Sequence, residues 1–222
     1  MKNSKKKLFV VAVAVCLIAI LSFTTLAWFN DSESVTNKFE VVTSEDQFPD
    51  DIFSVDVYEE VDTDGDGVME KVEEGSTTFK NVVPGDALPK APYVENTGRY
   101  AQWVRLTITF NSQDAWYVIN DGTVGGPLAL LDFADDFDTN WVGGSYSDAD
   151  GKYTYVYYLK TPLAPEAKVA TFTTVNIPTT LEQADLFSIQ GEALEITVLA
   201  EAVQVDNVPA TSAKEAFAIV AP

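Results

Sequence analysis

From Gln102 to Phe110 apolar and polar positions alternate. Val104, Leu106, Ile108 and Phe110 share one side, and Trp103, Arg105, Thr107 and Thr109 share the other. A period of two is the mark of a strand with one buried face. The same alternation runs through Leu194, Ile196, Val198, Ala200 and Ala202, opposite Glu195, Thr197 and Glu201. Tyr153 to Leu159 is a β-prone aromatic run, and Ile52 to Val61 and Val169 to Ile177 are further strand candidates. Turn chemistry separates them at Pro84-Gly85-Asp86, Asn96-Thr97-Gly98, Asp121-Gly122, Gly143-Gly144 and Asp150-Gly151. The helical period is scarce. Ala213, Ala216, Phe217 and Val220 would line one face of a short helix opened by Ser212 and Glu215 in capping-box spacing. Leu181 to Leu186 fits a shorter helix or turn. Many short strands between turns predict an all-β fold, a jelly-roll-like antiparallel sandwich with one or two short helices, spanning residues 43–222.

The amino end has a different pattern. Lys2, Lys5, Lys6 and Lys7 precede an uncharged apolar run from Leu8 to Leu21, and Thr25-Leu26-Ala27 places small residues where a signal peptidase reads. This predicts a secretory signal peptide over 1–27, cleaved between Ala27 and Trp28. The competing reading is a retained membrane anchor, because Leu8 to Phe29 reaches the ~20 apolar residues a spanning helix needs. The polar Ser22, Thr24 and Thr25 favour cleavage. After them, residues 28–42 form a one-sided strand. Phe29, Val35, Asn37, Phe39 and Val41 fall in one phase, with Asp31 and Glu33, while Asn30, Ser32, Ser34, Thr36, Lys38 and Glu40 fill the other. A one-sided strand needs a sheet to lie against. It either folds back on its own sandwich or adds to the open edge of a neighbouring copy.

Composition narrows the function classes. The chain carries 14 basic and 34 acidic residues, net −20. Loss of the four leader lysines leaves 10 against 34, or −24. No basic footprint for nucleic acid exists, and copies of the protein repel each other. Cys16, the only cysteine, lies in the leader, so a processed chain has no disulfide and depends on a packed core. Histidine is absent, which removes Ser-His-Asp and Cys-His catalysis and H-E-x-x-H zinc chemistry; the chain reads as a non-enzyme.

The sharpest local motif runs from Asp62 to Glu73 and satisfies the calcium-loop template D-x-D-x-D-G-x₅-E. Asp62, Asp64 and Asp66 would supply carboxylates, Val68 a backbone carbonyl, Glu73 the twelfth-position ligand, and Gly67 the sharp turn. Its flanks, Val55 to Val61 and Val68 to Val72, read as strands rather than helices, so a bare acidic hairpin turn is the alternative. Bound Ca²⁺ here would be structural, clamping a loop and screening charge. Asp132, Asp135, Asp136 and Asp138 around Phe133 and Phe137 read as a solvated acidic loop with the rings tucked inward, against the alternative of a metal site. Tyr153, Tyr155, Tyr157, Tyr158, Trp116 and Trp141 read as core and cross-strand pairs, against a sugar-binding platform.

Several short segments occur in an order shared with one family. They are Ala27-Trp28-Phe29-Asn30-Asp31, Asn37-Lys38-Phe39, Pro84-Gly85-Asp86, Val94-Glu95-Asn96-Thr97-Gly98, Trp103-Val104-Arg105, Tyr155 to Leu159, Leu163-Ala164-Pro165-Glu166 and Ala200-Glu201-Ala202-Val203-Gln204. In that order the chain resembles the TasA/camelysin family of SipW-dependent, Gram-positive biofilm matrix proteins. It departs from the family at Leu163-Ala164-Pro165-Glu166, which lacks the usual Pro-Gly order, and in the acidic loop at Asp62. The resemblance implies a secreted jelly-roll subunit, processed by a SipW-like signal peptidase, that polymerises with itself into extracellular fibres alongside other matrix proteins. It also implies that the N-terminal strand of one subunit completes a sheet of the next. The different-class alternative is a monomeric, calcium-binding surface or adhesive module. A membrane enters either picture only through an uncleaved leader.

Overall fold

The computed structural model describes residues 30–35, 54–61, 70–72, 82–122, 125–189, 194–206 and 208–220. In chain order its strands are β1 (Asn30–Val35), β2 (Val55–Val61), β3 (Glu70–Val72), β4 (Ala87–Pro89), β5 (Pro92–Asn96), β6 (Gln102–Phe110), β7 (Leu131–Phe133), β8 (Trp141–Ser147), β9 (Tyr153–Leu159), β10 (Lys168–Ala170), β11 (Phe172–Asn176) and β12 (Ile196–Gln204). The helices are α1 (Gln113–Ile119), α2 (Phe137–Asn140), α3 (Gln183–Ser188) and α4 (Ala213–Val220), with a 3₁₀ turn at Pro127–Leu130. The chain is mostly antiparallel sheet with a few short helices.

One layer has five strands in the order β1-β12-β6-β9-β8. The alternation read from the sequence sets its faces. Val104, Leu106, Ile108 and Phe110 of β6 and Ile196, Val198, Ala200 and Ala202 of β12 are buried in the main core. Leu194 lies outside β12 and is exposed. Tyr153, Tyr155 and Leu159 of β9 and Trp141 of β8 join that core, and Tyr157 packs against it.

The other strands form the facing layer. Four pair in the order β10-β5-β2-β3 and three in the order β4-β11-β7. The two ladders share one register. It runs unshifted from Asn176↔Ala87 to Lys168↔Glu95, and the gap is bridged by Lys90 N–H to Thr173 O and Thr171 N–H to Pro92 O. β4 with β5, and β10 with β11, are therefore two interrupted long strands. Thr171, at the break, is fully buried and donates its hydroxyl to Pro92 O at 2.7 Å. Val55, Val57, Val94, Val169, Phe172 and Val175 supply this layer's share of the core. Trp141 ties the layers together by donating its indole N–H to Ala170 O at 3.1 Å.

Turn readings held at four places. Pro84-Gly85 turns with Gly85 at φ 92, and Asp86 N–H closes on Val83 O. Asn96 Oδ1 accepts the Gly98 N–H. Asp121 and Gly122 are both left-handed at the end of α1. Asp150 and Gly151 have φ 58 and 71, the paired positive angles of a tight hairpin turn between β8 and β9. Gly143-Gly144 is a correction: it lies inside β8, at a bulge between Gly143 and Ser145. The Tyr158 ring lies against Gly144 and leaves no room for a Cβ, so glycine is required by close approach and not by a turn.

Helix content also differs from expectation. α4 spans the predicted residues, and Glu215 accepts from Thr211 N–H and hydroxyl while Ser212 Oγ accepts Glu215 N–H. α3 lies two residues later than predicted and carries a capping box from Glu182 and Asp185. α1 and α2 were not expected. Trp116, Tyr117, Val118 and Ile119 are β-prone residue types, yet their segment is helical because that puts Ala115, Trp116 and Ile119 in the core. Trp116 meets the Phe110 ring edge-on at 5.1 Å.

Candidate functional site

β12 is the element around which a candidate assembly site is built. One side of it pairs with β6 along nine rungs, Ile196↔Phe110 to Gln204↔Gln102. Its other side pairs with β1 of the same chain, from Asn30↔Val203 to Val35↔Val198. β1 is thus the outermost strand of the layer, and it lies beside β2 of the facing layer. The inner face of β12 beneath this rung carries two alanines, Ala200 and Ala202, both buried. Without β1, nine residues of β12 would present an unpaired edge above a core lined by small side chains.

The outer face of the same strands is covered by α4. Trp103 and Val203 make a second, smaller core with Val208, Ala213, Ala216 and Phe217. Arg105 donates to both Glu201 carboxylate oxygens at 2.7 Å, and its guanidinium lies 4.5 Å from the Phe217 ring centre. The hydrogen bonds to Glu201 raise the Arg105 pKa further and outweigh the opposing effect of burial. β12 and β6 are therefore fixed on both faces.

The last rung is polar. Gln102 exchanges its backbone bonds with Leu163, and Val205 N–H goes to Ala101 O, so Gln102 and Gln204 face each other as a close, non-hydrogen-bonded pair. Both are buried. Gln102 Nε2 donates to Ser54 O, while the Oε1 atoms of both glutamines have no donor among the described residues. This unsatisfied pair sits one rung beyond Asn30↔Val203, where β1 begins. The sequence carried a signal for it, since two carboxamides stand in the apolar phase of otherwise apolar strands.

Of the predicted donor residues, Val35 ends β1 opposite Val198. Phe29, Asn37, Phe39 and Val41 lie outside the described residues, as do Ala27 and Trp28 at the predicted cleavage bond.

The calcium-loop ligands Asp62, Asp64, Asp66, Val68 and Glu73 also lie outside them. Of their flanks, Val55–Val61 and Glu70–Val72 are described. β2 and β3 pair as antiparallel strands whose closing rung is Val61↔Glu70. That hairpin is held on its outer face by Lys71, which reaches Asp56 at 3.0 Å and Glu95 at 3.2 Å and stands 4.2 Å from the Tyr58 ring centre. Burial opposes the Lys71 charge, but the hydrogen bonds and fields of Asp56 and then Glu95 prevail and raise its pKa. Tyr58 stacks on Tyr93, and Lys168 covers Tyr93 while pairing with Glu60.

The other acidic and aromatic readings resolve into packing. Asp132, Asp135, Asp136 and Asp138 are exposed, Phe137 is buried, and Phe133 packs on the core. Trp116, Trp141, Tyr153 and Tyr155 are buried in the core, so they form no exposed platform. Among the described residues no group of three or more acids is placed to hold a metal ion.

Comparison of the chain with protein-family models, with curated proteins and with solved structures returned no match.

Proposed function

We propose that the protein is a secreted structural subunit of extracellular matrix fibres. It polymerises head-to-tail, with the segment 28–42 of one copy pairing along β12 of the next. In this reading the sandwich is a jelly roll, residues 1–27 are removed by a SipW-like signal peptidase, and the processed chain is not an enzyme. The observation that carries it is the place of β1. Residues 30–35 of the segment that sequence singled out as one-sided form the strand next to β12, and among the described residues β1 pairs with no other strand. A copy whose β1 leaves this rung opens the same rung to another copy's β1 with identical hydrogen bonds. Such a one-to-next contact is head-to-tail and grows an open filament. The resemblance to the TasA/camelysin family supports the same assignment.

Negative-stain microscopy of the processed chain and of a form lacking 28–42 tests it. The full processed chain is expected to form filaments and the shortened chain to remain as soluble monomers. Filaments from the shortened chain would remove the donor role.

The Asp62–Glu73 motif, whose first eight positions connect the paired residues Val61 and Glu70 and whose next three are β3, supports structural Ca²⁺ binding as a companion reading. Calorimetry with Ca²⁺ on the processed chain and on an Asp64→Ala, Asp66→Ala variant checks it. Binding heat that disappears in the variant is expected, and no heat above buffer from the parent rules it out.

A further inference from the structure

The opposite edge of the five-stranded layer is open. β8 is its outermost strand, and β9 satisfies one side of it. Among the described residues no backbone hydrogen bond reaches β8 from the other side. Sheets usually blunt such an edge with lysine, proline or a charge turned into the strand. β8 is Trp-Val-Gly-Gly-Ser-Tyr-Ser, without a charged residue or a proline, in a chain of net charge −20. The other outermost strands carry charge or proline: Asp31 and Glu33 in β1, Glu70 and Lys71 in β3, Lys168 in β10, Asp132 in β7 and Pro89 in β4. The one blunting device in β8 is its bulge, which leaves a flank on each side of Gly144. Each flank shows one apolar side chain, Val142 at 48 % and Tyr146 at 45 % exposure.

The ends of β8 carry both signs of charge. Asp136, Asp138 and Lys160 stand at its start, and Lys160 donates to the Asp138 carbonyl. Asp148, Asp150 and Lys152 stand at its end, and all six of these residues are exposed. An antiparallel strand of the same sequence sets start against end. Each end sums to −1, so little net charge is brought together, each lysine offsets part of the other copy's aspartates, and the uncharged centre meets itself, where the repulsion between two polyanions is least.

We propose that β8 is the lateral contact of this protein with a second copy of itself, the two β8 edges pairing antiparallel about a two-fold axis near Gly144. Two five-stranded layers then become one continuous sheet. The contact is isologous and closes on itself, so it joins filaments side by side and lengthens none. It rests on the filament reading for its strength, because a single seven-residue edge is a weak contact and repetition along a filament multiplies it. Salt strengthens it by screening the net negative charge.

The test is a Val142→Lys, Tyr146→Lys variant of the processed chain, with circular dichroism to show an unchanged fold and Val142→Thr, Tyr146→Thr as an uncharged control. Parent filaments are expected to lie paired under negative stain, and the control to keep pairing. Lysine-variant filaments should be equally long but single, with lateral affinity at least ~100-fold lower because like charges then face each other. Pairing that persists in the lysine variant, or parent filaments that stay single at all salt concentrations, overturns the proposal and leaves the filament reading intact. If neither form makes filaments, the filament reading fails, and sedimentation equilibrium at high protein concentration decides the edge alone. A parent dimer lost in the lysine variant supports it, and monomer throughout overturns it.

Discussion

The two edges of the five-stranded layer are held in opposite ways. β8 turns directly back into β9 through Ala149–Lys152, where Lys152 N–H closes on Ala149 O. Its pairing is local, and closing that loop costs little entropy. β1 reaches its rung by pairing Asn30 with Val203, across most of the chain. Its closure is costly, and the bonds it makes are the same when a second copy supplies the strand. In the proposed assembly the strand paired at long range is the exchangeable edge. A hairpin strand stays in place and accepts an additional partner beside it. In the proposed assembly one edge lengthens a filament, and the other joins filaments.

The largest test of this contrast strikes β12, on which β1 depends. Ala200→Glu puts a carboxylate at a fully buried position of β12 and should cost on the order of 3–5 kcal/mol in urea unfolding. Val142→Glu on exposed β8 should stay within about 0.5 kcal/mol of the parent. Equal losses at the two sites would erase the distinction.

A reference point away from both edges is the buried pair of Lys90 and Glu59, 4 % and 2 % exposed, in the layer that faces β1. Lys90→Met takes the ammonium away from the buried carboxylate and should cost roughly 3–5 kcal/mol. Adding Glu59→Leu should recover most of it, since an apolar pair of similar volume replaces an ionic one. Failure of the second substitution to rescue would show that the carboxylate has other essential partners.

Smaller and more local is Gly144→Val. The Tyr158 ring occupies the space of the new side chain, so the cost should be about 1–3 kcal/mol. Hydrogen exchange should quicken at β8 and β9 amides while β12 and β6 keep their protection. Loss spread evenly over the layer would contradict the independence of the two edges.

The smallest effect is a gradual loss of stability in alkali. Burial raises the pKa of Tyr58, Tyr155 and Tyr157, and pairing with Glu60 raises that of Lys168. Lys71 is raised as well, against its own desolvation. A folded-state value above the unfolded one means that the stabilisation is complete below the ordinary values of 10.0 for tyrosine and 10.5 for lysine. It is lost as pH rises through the higher folded values. Thermal scans between pH 8 and pH 11 should therefore show a falling midpoint above about pH 10. Tyr155 touches Tyr146 of β8, so the decline should include the β8 edge. A flat profile would refute the shared direction of these shifts.

Much of the sandwich was legible because burial on one face writes itself into the sequence. The core residues of β6 and β12 follow a strict period of two, and the helix α4 follows its own period and cap. What the sequence left unread or misread has one cause in common. Trp116 and Ile119 look like strand residues, and Gly143-Gly144 looks like a turn. A neighbour brought in from elsewhere, Phe110 in one case and Tyr158 in the other, decided their conformation. The unsatisfied pair Gln102 and Gln204 is similar, since each is unremarkable alone and their meeting depends on register.

By itself the sequence determined which residues face inward, where most turns fall, and that the amino-terminal strand needs a partner. Those are local matters of side-chain period, backbone freedom and charge. The tertiary structure alone decided that this partner is β12, that the layer ends in an uncharged strand on its far side, and that two interrupted ladders form one facing layer. Strand order and register arise from pairing between distant segments, and no local pattern of residues encodes which edge lies beside which.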